Sequence, residues 1–211
     1  MPDGQVFDEA TGTVRNLRAE LPLALGKQPR GIVLVEGGSD KNAVEALAER
    51  RGRDLDAERI SVVPLGGATN LGHFLDLVNS HDSEVRLAGL CDEAEGRAFQ
   101  LALERARRGT NLTRAATERL GFFVCVADLE DELIRALGAA SVERVVADQG
   151  ELGTFRTFQM QPAQRERTLE AQLRRFMGTR SGRKLRYGRL LVEALDLDQV
   201  PRPLDQVLAC V

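Results

Sequence analysis

Four short apolar runs, each followed by a stretch of helical periodicity, constrain the fold of this chain more than any other feature. An unbroken run of β-branched and aliphatic residues is typical of a strand buried on both faces of a parallel sheet. The runs predict strands at residues 31–36, 60–64, 85–91 and 122–126. Because helical patterns separate them, we expect an α/β fold in which a parallel four-stranded sheet is flanked by helices.

The composition is that of an ordinary globular protein, with 43% hydrophobic and 29% charged residues among 211. No apolar run reaches the length of a membrane span, and the polar, acidic N-terminus does not resemble a signal peptide, so we expect a cytoplasmic protein without membrane contact. The three cysteines form no CxxC pair and the two histidines show no ligand spacing, so no zinc site is predicted.

Acidic residues follow three of the four predicted strands. Glu36 ends the first strand and Asp40 begins the helix after it, Asp92 follows the third strand, and residues 128–132 (DLEDE) follow the fourth. The carboxyl ends of parallel strands meet at one edge of a sheet, so these side chains converge there. Clustered carboxylates repel one another unless a cation lies between them. The pattern predicts a metal site; in the alternative interpretation, Asp40 is a simple helix cap.

Outside the sheet, the patterns are mainly helical. The N-terminal segment carries no strand signal and is weakly helical, residues 108–117 form a polar excursion, and residues 154–160 are expected to be an edge strand or an extended linker. Later helices are predicted at residues 141–149, 162–177, 184–196 and 203–209. We divide the chain into an N-terminal helical segment (1–30), an α/β domain (31–150) and a helical C-terminal extension that completes the site (151–211).

Basic residues are concentrated near the C-terminus, although the net charge is −3. Residues 162–190 hold nine basic side chains against two acids. Such an excess is typical of a face that binds phosphate groups, or of a pair of solvated, charge-rich helices. The candidates for nucleic-acid binding in this region are Arg174, Arg175, Arg183 and Arg186.

Four motifs together resemble the Toprim domain, and more specifically that of the overcoming-lysogenisation-defect (OLD) family of nucleases. They are residues 33–40 (VLVEGGSD), 89–92 (GLCD), 128–133 (DLEDEL) and 183–187 (RKLRY). The resemblance extends over about residues 31–195 and implies a Toprim-like, Rossmann-like sheet with a basic helical extension.

The resemblance implies an endonuclease that depends on Mg²⁺ or Mn²⁺ and acts on DNA, in DNA repair or phage defence. Glu36 and Lys184 would be catalytic, with Lys184 stabilising charge at the reacting phosphate. The implied metal ligands are Glu36, Asp40, Asp92, Asp128 and Glu130, of which Asp128 stands where the family often has a hydroxyl residue. Carboxylate oxygens are the ligands that Mg²⁺ prefers.

Two departures from the family pattern affect this interpretation. Ala94 stands where the second aspartate of an Asp-x-Asp motif is expected, which leaves Glu93 or Glu95 as substitutes and predicts one tight and one weaker metal site. No GxxxxGK[ST] loop occurs, so we expect no ATP site in this chain. A separate ATPase subunit and a homodimer are possible partners besides DNA.

A second interpretation keeps the fold without the activity. In it, the chain is a Toprim-like DNA-binding or repair-accessory module that is catalytically weak or inactive, and Ala94 is the residue that favours it. Strand passage would require a nucleophilic tyrosine on a further domain, and the sequence has Tyr187 alone. Nicking of supercoiled plasmid that chelators abolish would distinguish enzyme from module.

Overall fold

The computed structural model describes residues 5–8, 13–16, 28–67, 70–80, 85–180 and 182–211. Its strands are β1 (Gln5–Asp8), β2 (Thr13–Asn16), β3 (Gly31–Val35), β4 (Ile60–Pro64), β5 (Arg86–Cys91) and β6 (Phe122–Val124). The last four form a parallel sheet in the order β4-β3-β5-β6. The α/β prediction is therefore confirmed.

Helices cover both faces of this sheet. They are α1 (Gly38–Arg50), α2 (Asn70–Ser80), α3 (Gly96–Arg105), α4 (Arg114–Arg119), α5 (Leu129–Leu137), α6 (Ala139–Asp148), α7 (Leu152–Gln159), α8 (Leu169–Met177), α9 (Arg183–Ala194) and α10 (Arg202–Ala209). Short 3₁₀ turns occur at Glu93–Glu95 and Leu197–Gln199. None of the described helices combines the length and hydrophobicity needed to cross a membrane.

Strand β3 shows why the apolar runs are unbroken. Its side chains alternate between two hydrophobic clusters, with Ile32 and Leu34 in one and Val33 and Val35 in the other. All four are fully buried. Since successive strand residues point to opposite faces, a strand covered by helices on both sides needs an apolar residue at every position.

The C-terminal helices pack directly on the first helix of the sheet domain. Asn42 of α1 donates to the carbonyl of Leu185 at 3.0 Å, and Arg50 at the other end of α1 donates to the carbonyl of Val192 at 2.8 Å. Tyr187 and Leu191 of α9 lie in the same core cluster as Val33. The start of α9 thus lies beside the start of α1, which follows β3, and this brings Lys184 toward the predicted acids.

Three predictions about secondary structure were wrong. Strands β1 and β2 pair antiparallel in a segment where no strand was predicted. The sequence pattern missed them because each strand has only four residues, which is very short for detecting a period of two. Helix α7 replaces the predicted edge strand at residues 154–160, and the burial of Phe155 and Phe158, three positions apart, shows its helical face. Helix α4 lies in the predicted polar excursion. The remainder of the predicted N-terminal helix lies outside the described residues.

Candidate metal centre

The predicted acids meet at the carboxyl edge of the sheet. Glu36 follows β3, Asp92 follows β5, and Asp128 begins α5 shortly after β6. The loops after β5 and β6 are tied together, because the amide of Glu93 donates to the carbonyl of Ala127 at 3.1 Å. Ala127 has a φ of 62°, a left-handed conformation that a non-glycine residue rarely adopts, directly before Asp128. Strain of this kind is often found next to functional residues.

Glu36, Asp40 and Asp92, which we call the β3–β5 acids, repel one another, and their charge is only partly compensated: Asp40 accepts a hydrogen bond from the amide of Gly37 at 3.0 Å and lies near the ammonium group of Lys184. Burial raises the pKa of Asp40 to about 7, with a further rise from the charge of Glu130. Burial also raises the pKa of Asp92 to about 8, together with the nearby charges of Glu36 and Asp40. The Oε2 atom of Glu36 is buried and has no hydrogen-bond donor among the described residues. Such a cluster favours protons or a cation.

Asp128 and Glu130, which we call the α5 acids, are instead paired with cations. Glu130 is 3% exposed; it accepts a hydrogen bond from the Ser39 hydroxyl at 2.6 Å, and its Oε2 atom lies 3.4 Å from Nζ of Lys184. Asp128 accepts a bond from the amide of Asp131 at 2.8 Å, which caps α5, and pairs with Arg174 at 2.5 Å. The negative charge of both carboxylates is therefore largely balanced within the chain.

The donor set suits a hard divalent cation, but the side chains do not enclose one. All five candidates are carboxylates, the ligand type that Mg²⁺ and Mn²⁺ prefer. Across the described ranges, no group of three or more His, Cys, Asp or Glu side chains is arranged so that it could hold a metal ion. The raised pKa values and the orphaned Glu36 oxygen locate the excess negative charge at the β3–β5 acids. A cation there would require these side chains to turn toward one point.

A cleft of about 620 Å³ opens beside the α5 acids. Its walls carry the side chains of Arg167, Arg174, Arg175 and Lys184, and Asp128 and Glu130 lie in it as well. Arg175 is exposed and has no ion-pair partner within the described part of the chain. The cleft therefore combines free and paired cations with the acidic centre, an arrangement that can accept a phosphate group.

Two of the four predicted nucleic-acid-binding arginines serve the fold. Arg183 is 4% exposed; its guanidinium donates to Glu151 at 2.9 Å and lies 4.0 Å from the ring centroid of Phe176. Arg183 is thus buried and already paired, and its binding to nucleic acid stays a prediction. Arg186 is exposed but donates to the same Glu151 at 2.7 Å, as does the Tyr187 hydroxyl at 2.9 Å. Glu151, which precedes α7, thus holds α9 against α7 through these three hydrogen-bond donors.

Position 94 lies at the surface. Ala94 and Glu93 are exposed in the 3₁₀ turn after β5, and Glu95 is half-buried. Whether Glu93 or Glu95 replaces the expected second aspartate stays a prediction.

Sequence reasoning missed Ser39 and Gly188. Ser39 precedes Asp40 in the first turn of α1, and its hydroxyl donates to Glu130 and approaches the carbonyl of Lys184 at 3.2 Å. A Cβ atom on Gly188 would lie 2.5 Å from the carbonyl oxygen of Ser39. A glycine inside a helical pattern is a signal of close packing, so Gly188 was the one indication that the sequence offered.

A parallel sheet with a glutamate at the tip of its first strand, and further acids at the tips of two others, defines a Toprim-type domain. Residues 30–93 match the family model described as "Overcoming lysogenization defect protein-like, TOPRIM domain". This segment is therefore similar to the Toprim domain of OLD-like proteins.

Solved structures extend the similarity beyond that segment. The C-terminal region of the Xanthomonas campestris pv. campestris OLD protein, phased with platinum, is 25% identical, with a TM-score of 0.67 over 87% of this chain and 92% of that one. The C-terminal region of the Burkholderia pseudomallei OLD protein is 21% identical, with a TM-score of 0.61 over 86% and 96%. No curated protein matches the sequence. The chain therefore has the fold of OLD C-terminal regions.

Proposed function

We propose that this protein is a metal-dependent endonuclease that cleaves or nicks DNA. The observation that carries the proposal is the convergence of the β3–β5 acids, with the pKa of Asp40 raised to about 7 and that of Asp92 to about 8, beside a cleft lined by cations. Phosphodiester hydrolysis needs a centre that binds a divalent cation and a neighbouring surface that binds phosphate. The OLD-like Toprim match supports the same class of reaction.

In this proposal, the β3–β5 acids hold the tighter Mg²⁺ or Mn²⁺ ion. The bound ion supplies Lewis acidity and a water of lowered pKa. Glu36 contributes its orphaned oxygen, and Asp40 is oriented by the hydrogen bond from the amide of Gly37 at 3.0 Å. Asp92, which follows the neighbouring strand β5, would be the third ligand. The α5 acids contribute to a second, weaker site when a metal ion displaces the paired side chains of Arg174 and Lys184.

Lys184 is proposed to stabilise negative charge at the reacting phosphate. Its ammonium group lies 3.4 Å from Glu130, and the surrounding acids raise its pKa against the opposing effect of burial, so it stays protonated at neutral pH. A positioned cation of this kind stabilises the charge that develops during phosphoryl transfer.

The cleft arginines are proposed to bind the DNA backbone. Arg175 is available as it stands, whereas Arg174 must exchange Asp128 for a phosphate. Arg167 lines the same wall. This division predicts that Arg175 contributes more to affinity than Arg174, because no ion pair among the described residues balances its charge.

Several broader features are proposed together with this function. They are a division into residues 1–30, 31–150 and 151–211, cytoplasmic location, a separate ATPase subunit and a homodimer. The resemblance to OLD proteins supports the ATPase partner, since the 211 residues contain no phosphate-binding GxxxxGK[ST] loop.

The second candidate is a Toprim-like DNA-binding module that is catalytically weak or inactive. The pairing of the α5 acids with Arg174 and Lys184 favours it, because these two carboxylates are already satisfied without a metal ion. The exposed alanine at position 94 favours it too.

The deciding experiment is incubation with supercoiled plasmid and either Mg²⁺, Mn²⁺ or a chelator. We expect nicking with metal, more with Mn²⁺ because it tolerates irregular coordination, and none with chelator. Glu36→Gln, purified in the same way, controls for contaminating nucleases. DNA binding without metal-dependent nicking would identify the protein as the binding module.

The DNA path is tested separately by the salt dependence of binding. Affinity for a short duplex should fall steeply with salt, and Arg175→Ala should flatten the slope by about one unit, the value for one lost phosphate contact. Arg97→Ala, an exposed arginine on α3 outside the cleft, is the matched control. Equal slopes for the two variants would move the DNA path to another surface.

A further inference from the structure

A single buried hydroxyl connects the two halves of the candidate centre. Ser39 lies in the first turn of α1 next to Asp40 and is 5% exposed. Its Oγ atom is 2.6 Å from Oε1 of Glu130 and 3.2 Å from the carbonyl oxygen of Lys184. A hydroxyl has one proton to donate, and the shorter distance is typical of a bond to a charged carboxylate. Glu130 is thus the main acceptor.

This bond determines how the Glu130 carboxylate is turned. With Oε1 held by Ser39, the second oxygen, Oε2, points toward Lys184 and has no hydrogen-bond donor within the described residues. Glu130 is therefore oriented from one side by a neutral donor and from the other by a cation. Without the hydroxyl, the carboxylate could rotate toward the ammonium group with both oxygens.

Gly188 allows the helix that carries Lys184 to reach this position. A Cβ atom at Gly188 would lie 2.5 Å from the carbonyl oxygen of Ser39 and 2.8 Å from its hydroxyl oxygen. Helix α9 therefore touches the backbone of α1 at Ser39. Asn42, one turn further along α1, bonds to the carbonyl of Leu185 at 3.0 Å and supports the same contact without reaching Glu130.

We propose that Ser39 is a positioning residue that holds Glu130 in register with Lys184. The proposal deepens the nuclease function and rests on it, since Glu130 is assigned to the weaker metal site there. Ser39 acts through Glu130 and not on DNA or metal directly. The hydrogen bond from Ser39 to Glu130 then becomes a condition for the weaker site to form.

The test is a calorimetric titration of Mn²⁺ into protein saturated with a DNA duplex whose phosphorothioate linkages resist hydrolysis. We expect Ser39→Ala to weaken the second ion by about 10–100-fold, the usual effect of removing a group that orients a metal ligand. The first ion, held by the β3–β5 acids, should bind as in the wild type. Asn42→Ala is the matched control and should leave both ions unchanged.

A double-mutant cycle separates positioning from general weakening of the fold. If Ser39 acts through Glu130, Ser39→Ala adds no further loss in a Glu130→Gln background, whereas independent effects would add. Gly188→Ala, which leaves the hydroxyl in place but pushes α9 away, should reproduce the loss of the second ion.

Additive losses in the cycle, or equal effects of Ser39→Ala and Asn42→Ala, would overturn the proposal. Failure of the nuclease function has a different signature: wild type and Glu36→Gln would then bind Mn²⁺ equally weakly and neither would nick plasmid. That result would overturn the Ser39 proposal as well, because no weaker metal site would exist for it to position.

Discussion

The β3–β5 acids and the α5 acids are chemically alike but differ in what surrounds them. Burial and the charge of Glu130 raise the pKa of Asp40 to about 7, and burial with the charges of Glu36 and Asp40 raises the pKa of Asp92 to about 8. In the second group, Glu130 has a serine and a lysine as partners, and Asp128 has an arginine and the first turn of a helix. The β3–β5 acids therefore favour a bound cation, whereas the α5 acids are already paired with Arg174 and Lys184.

The difference arises from the elements that face each group. Glu36 and Asp92 directly follow strands β3 and β5, and Asp40 lies in the first turn of α1, where it accepts a hydrogen bond from the amide of Gly37. The α5 acids lie opposite α8 and α9, which supply Arg174 and Lys184. A carboxylate at a strand tip is thus a metal-ligand candidate only to the extent that packing leaves its charge unbalanced.

The largest expected effect is on catalysis. Glu36→Gln keeps the volume of the side chain but removes a charge from the unbalanced group, and we expect plasmid nicking to fall by about 10²–10³-fold, the usual range for loss of one electrostatic group in an active site. Glu130→Gln should reduce the rate of plasmid nicking less, by about 10–100-fold. Initial nicking rates at saturating Mn²⁺ measure both. Equal losses would mean that the two groups contribute alike.

The same two substitutions should change stability in opposite directions. In chelator at pH 8, Glu130→Gln removes the charge that balances Lys184 and weakens a buried hydrogen-bonded set, which should cost about 1–3 kcal/mol. Glu36→Gln removes repulsion and should leave the melting temperature unchanged or raised. Thermal unfolding followed by circular dichroism measures the sign. A large drop for Glu36→Gln would show that Glu36 is structural.

The β3–β5 acids should also make the metal-free protein less stable as pH rises. The pKa values of Asp40 and Asp92 lie above the ordinary 3.8 of an aspartate. The folded state therefore holds protons that the unfolded chain has released. Their stabilisation is full below about pH 4 and is lost as pH rises through about 7 and 8. The melting temperature in chelator should therefore fall by several degrees between about pH 6 and pH 8.5.

Asp92→Asn is the variant that isolates this effect. It should flatten the pH dependence of the melting temperature, whereas Asp128→Asn, at a carboxylate already paired with Arg174, should not. If the melting temperature of Asp92→Asn depended on pH as steeply as that of the wild type, groups other than Asp92 would be responsible for the pH dependence.

The smallest expected effect is that of Ala94→Asp. Position 94 is exposed, so the added carboxylate should change the affinity of the weaker Mn²⁺ ion by only about twofold, the range of most surface substitutions. Calorimetry on the DNA-bound variant beside the wild type measures it. A tenfold gain would show that the turn at Glu93–Glu95 moves toward the metal when the complex forms.

The sequence alone determined the sheet and the edge at which the acids gather. Residues 32–35 and 122–125 are apolar at every position because helices cover both faces of the sheet, and this is a local property that a run of residues displays. Glu36, Asp92 and Asp128 then meet as a consequence of parallel topology, without knowledge of the strand order. The motifs at residues 33–40, 89–92, 128–133 and 183–187 together gave the family resemblance, which the match over residues 30–93 confirms.

The tertiary structure alone decided which charges are free. Arg175 and Arg183 belong to one basic stretch, yet Arg175 is exposed and Arg183 is buried against Phe176 and Glu151. Ser39 meets Glu130 across 91 residues of sequence and Lys184 across 145. Burial and charge pairing depend on which elements pack face to face, and no local period or motif records contacts between segments so far apart.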